Sequence, residues 1–67
     1  MFSEVHVLRE QRAYAVHEAA EQERAAWAAL ERASRREGAD EHAVRACRER
    51  WRAAAHSLVD ALRALKS

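Results

Sequence analysis

Residues 35–51 read RREGADEHAVRACRERW, and this run decides the fold. Arg35 and Arg36 put positive charge where a preceding helix would present its negative end. Gly38, the one glycine of the chain, suits the left-handed position that closes a helix. Asp40 then offers a side-chain acceptor to the first free amides of a second helix, with Glu41 in its first turn. One helix therefore stops and another starts within a few residues, around a turn at about 37–40.

Downstream of the turn, a second helix over about 41–65 gathers Val44, Cys47, Trp51, Ala54, Ala55, Leu58, Leu62 and Leu65 on one face. His42, Arg45, Glu49, Arg52, His56, Asp60 and Arg63 fall opposite. Positions 44, 47, 51, 54, 58, 61 and 65 also follow the coiled-coil heptad, which favours nearly parallel helix axes. Upstream, a first helix over about 3–36 begins with Ser3 as a weak cap and carries Val5, Leu8, Val16, Ala19, Ala20, Ala26, Trp27, Leu30 and Ala33 on a shared face. Arg12 and Glu23 interrupt that face. Either both bury their stems and keep their charged ends in water, or Glu23 meets an arginine such as Arg50 or Arg52 and fixes register.

Composition agrees. Ala, Arg and Glu dominate, Pro is absent, and nothing alternates with a two-residue period. The fold class is all-α: residues 1–67 form one antiparallel hairpin of two long helices. With equal rise in both, residues at one height have numbers summing to about 76. Trp27 then lies near Glu49 and Arg50, and Trp51 near Ala25, so each indole is expected against small residues of the other helix. Helix two would end opposite about residue 10, leaving Phe2, Val5, Val7 and Leu8 on an overhang of about 13 Å.

A chain of 67 residues has little capacity to bury a core, and its single cysteine, Cys47, rules out an internal disulfide. Association is the remaining common source of stability. Two hairpins packed antiparallel would cover each other's overhangs, giving a homodimeric four-helix bundle with two-fold symmetry. The residues expected to drive this are Phe2, Val5, Leu8, Val16, Trp27 and Leu30 on the first helix. On the second they are Val44, Trp51, Leu58, Leu62 and Leu65.

Twelve basic and eleven acidic side chains leave a formal charge of +1, which argues against indiscriminate polyanion binding. The amino terminus lacks a basic and apolar leader, and no stretch is apolar enough to span a bilayer, so a cytoplasmic protein that does not enter membranes is the expectation. Catalysis has little support. Cys47 lies on the apolar stripe, Ser34 and Ser57 have no histidine and acid arranged about them, and no phosphate-binding loop is present, so neither enzymatic activity nor a cofactor is expected.

The reading that follows is a protein–protein interaction or oligomerisation module, an adaptor or regulatory subunit, with a second copy or another helical protein as partner. Two alternatives stand beside it. Arg45, Arg48, Arg52 and Arg63 form a basic flank able to track phosphates, although neither tryptophan is expected beside it to stack a base. His17 and Glu21 lie at the height of Asp60 and His56, a donor set suited to a divalent metal, but the second pair points away from the other helix. A lesser contact surface near Val7, Tyr14, Ala25 and Ala28 or Ala29 could dock a further protein.

Overall fold

The computed structural model describes residues 4–67 and consists of two helices, α1 (Glu4–Arg35) and α2 (Glu41–Lys66), packed antiparallel along their length. No strand occurs among the described residues. Phe2 and the Ser3 cap lie outside them.

The connection is built as its residues dictate. Gly38 adopts φ +71°, the left-handed conformation open to glycine without penalty, and a Cβ there would meet nothing within 4 Å. Asp40 is extended, at φ −77° and ψ 121°, and its carboxylate accepts from the His42 amide at 3.0 Å. Its carbonyl accepts from the Val44 amide at 3.0 Å, the first bond of α2. Both helices carry basic residues in their last turn, Arg32 and Arg35 in α1 and Arg63 and Lys66 in α2, favourable against the helix dipole.

The seam follows the heptad. Val44, Cys47, Trp51, Ala54, Ala55, Leu58 and Ala61 are half-buried along α2, facing the buried Ala19, Ala26 and Leu30 of α1. Small residues dominate the α1 side of the contact, which lets the helices approach closely.

Both interruptions of the α1 stripe reach across the seam. Glu23 is half-buried and accepts a long hydrogen bond, 3.4 Å, from the Trp51 indole N–H. Its partner is thus an aromatic donor, not Arg50 or Arg52. Arg12 is half-buried too, and its guanidinium donates to the Ser67 carbonyl at 3.2 Å.

The expectation for the tryptophans needs correction. Instead of each resting on alanines, Trp27 and Trp51 meet each other, ring centroids 5.2 Å apart and planes tilted by 58°. Their numbers sum to two more than the nominal register, about 3 Å of rise, which is less than the reach of an indole. Tilted aromatic pairs at this separation are favourable beyond the area they cover.

Candidate interaction face

The hairpin buries little of itself. Ala19, Ala26 and Leu30 are the buried hydrophobic residues among those described, and α2 has none at all. The accessible surface is 5751 Å², whereas a folded monomer of 7.7 kDa would expose about 4,300 Å² by mass scaling. The radius of gyration is 16.0 Å against roughly 11 Å for a compact chain of this length, and the extents are 59 × 16 × 12 Å. This shape is a plank with apolar margins.

The two margins of the seam differ. On one, Ala25, Ala26 and Ala29 of α1 and Ala53 and Ala54 of α2 line a shallow groove of about 440 Å³, bordered by Gln22, Arg50 and Ser57. On the other lie the large side chains. Trp27 is 45% exposed although it packs on Trp51. Val59, also 45% exposed, borders a second groove of about 460 Å³ with Trp51 and Ala55. Leu62, 41% exposed, stands eleven residues beyond Trp51, three helical turns and so on the same side. Val16 bears the same relation to Trp27. The Trp27–Trp51 pair and the Val16–Leu62 pair therefore lie on one face with matching register.

The overhang at the open end carries Val5 and Leu8, which border a depression with Leu65 and Ser67. It is bare: Val5 is 68% exposed, and Leu8 is exposed as well. Leu58 and Val44 lie half-covered in the seam, Leu65 stays exposed, and Leu30 is buried within the hairpin.

Arg45, Arg48, Arg52 and Arg63 are all exposed. Here the sequence reading missed a neighbour, because Trp51 borders the same groove as Arg52 and Arg63, with His56 and Asp60. An aromatic edge does lie beside part of the basic flank. The wheel could have shown this, since Ala55 and Val59 bridge the angle between Trp51 and Arg52.

His17 pairs with Glu21 at 3.6 Å, and Arg24 lies 3.9 Å from the same carboxylate. The structure does not bring His56 and Asp60 to them: among the described residues no group of three or more His, Cys, Asp or Glu side chains is placed to hold a metal ion. Among the described residues, His6 lies 3.1 Å from Glu10 and Arg35 lies 2.9 Å from Glu31, both contacts within α1. Tyr14 sits on the outer surface and donates to Glu18 at 2.9 Å, a contact that raises its pKa above 10.0, first through the hydrogen bond and then through the adjacent negative charge. Cys47 is a half-buried free thiol in the seam.

No described helix is long and apolar enough to cross a membrane. No protein-family model, curated protein or solved structure matches the chain.

Proposed function

We propose that this chain is a helical interaction module, working by laying the face that carries Trp27, Trp51, Val59 and Leu62 against further helices, with a second copy as the first partner. The observation that carries the reading is the half-exposed tryptophan pair. An indole is the largest apolar side chain a core can use, and leaving Trp27 45% open, on a face that also exposes Val59 and Leu62 further along α2, forfeits much of its contribution. Contiguous large apolar residues on a small chain mark a surface meant to be covered.

The test is the mass in solution. Sedimentation equilibrium at micromolar concentration should give twice 7.7 kDa, and Trp27→Glu should weaken association at least about tenfold by placing a charge in the covered face. A wild-type mass of one chain across the micromolar range would refute self-association.

A second reading draws on Arg52 and Arg63 sharing a groove with the edge of Trp51, the pairing of cation and ring that holds single-stranded nucleic acid. It requires that a labelled RNA bind with steep salt dependence, and that Arg45→Glu with Arg52→Glu abolish binding. Salt-insensitive or absent binding leaves the interaction module alone.

A further inference from the structure

We infer that the second copy lies on the tryptophan-bearing face upside down, with the two-fold axis crossing α1 at the height of Glu23, so that the two Gly38 turns point to opposite ends. This rests on the reading of the chain as a self-associating module and adds the face, the direction and the register.

The area fits. The broad side of a plank 59 Å by 16 Å is close to the roughly 800 Å² that each partner contributes to a stable interface.

Size and charge, taken independently, then place the axis at one height. In an inverted pair, facing residues of α1 have numbers with a constant sum, and so do those of α2. The indoles make a ridge, and on the same face the nearby half-buried small residues are Ala20 on α1 and Ala55 on α2, the latter lining a groove beside Trp51. Seating Trp27 over the partner's Ala20 requires an α1 sum of 47, and seating Trp51 over the partner's Ala55 requires an α2 sum of 106. Within the hairpin, the tryptophan contact makes numbers at one height sum to about 78, so these two values describe one axis to within two residues, about 2 Å of rise and less than the reach of an indole. The same placement puts Leu62 over the partner's Val44.

The charges at the rim ask for the same axis. Glu10 comes beside the partner's Arg35 and Glu21 beside the partner's Arg24, each with a sum of 45. On α2, Glu41 comes beside the partner's Lys66, with a sum of 107. Opposite charges at such flanking positions set orientation more than strength. Like charges also coincide: the exposed Arg45 comes beside the partner's Arg63 and the exposed Arg9 beside the partner's Arg36, while Glu23 meets the partner's Glu23 at the axis, where its carboxylate accepts from the Trp51 indole N–H of its own chain.

The upright alternative, with both turns at one end, fails on both counts. It would stack four indoles in one layer, leave the Ala20 and Ala55 layers facing each other across a gap, and set Arg24 against the partner's Arg52.

Spin labels decide it. On a Cys47→Ala background, which removes the natural thiol, Glu37→Cys in the turn and Gln11→Cys near the open end each carry one label per chain. Both sites are exposed, and sedimentation shows whether each labelled chain still associates. The inverted dimer should give separations of about 42 Å between the Glu37 sites and about 36 Å between the Gln11 sites, at 1.5 Å of rise per residue from an axis at Glu23. Both distances at about 25 Å or less would overturn the inverted arrangement while leaving the module intact. Labelled chains of single mass with no intermolecular distance would overturn the module itself.

Discussion

Tyr14 shows how a single contact becomes measurable. Its hydroxyl donates to Glu18 one turn away, and ionising it would set two negative charges side by side, so its pKa stands above 10.0. Because the folded value is raised, whatever the contact contributes is complete below the ordinary tyrosine range and is lost as pH rises through the raised value. An ultraviolet titration should find the phenolate midpoint above 10.0 in the intact chain and closer to it in Glu18→Ala. A midpoint no higher than that of free tyrosine would remove the contact from solution. Glu23 and Arg12 mark the limit of reading single residues from sequence. Each was visible as a charge in an apolar stripe, but its partner was not: helical spacing fixes the side on which a residue lies, while the tip of a long side chain ranges over several residues of the neighbouring helix. Glu23 found the Trp51 N–H and Arg12 the Ser67 carbonyl.

At the scale of elements, the connection was the most legible part, since each of its residues has a conformational reason to be there. Gly38 carries a sharp prediction. With nothing within 4 Å of an added Cβ, Gly38→Ala meets no steric obstacle, and its cost is purely that of holding an L-residue at φ +71°. This should be about 1 to 2 kcal/mol, read as a lower midpoint of chemical denaturation with unchanged slope. No loss of stability would mean that the turn relaxes to another conformation. The stripe of α2 was equally readable, because its polar and apolar sides separate cleanly. The tryptophan contact was not, because a register uncertain by two residues is finer than the size of the ring that must be placed. The aromatic edge beside Arg52 was missed for the opposite reason: treating the two sides of a helix as separate categories hid the residues that lie between them.

For the whole molecule, the deciding quantity is how much of Trp51 is enclosed. It is half-buried in the single hairpin. Trp51→Ala should cost about 3 to 5 kcal/mol where a second pair of helices encloses the ring, and roughly half as much where one side stays open. Denaturation followed at two protein concentrations separates these cases, because stability coupled to association rises with concentration. A small, concentration-independent loss would mean that the hairpin stands alone. Length and composition had already pointed to a chain too small to hide its own apolar surface. Choosing between its two margins needed coordinates, because both are alanine-rich on the wheel, and only the packed pair shows which one keeps its large side chains in the open.

The absence of any buried residue in α2 bears on how long such a chain lasts. A helix held along a single edge is the first to open, and an opened segment is what degrading enzymes cut. If copies protect one another, survival is set by how soon a newly made chain meets another, so supply in the cell would govern lifetime as well as amount.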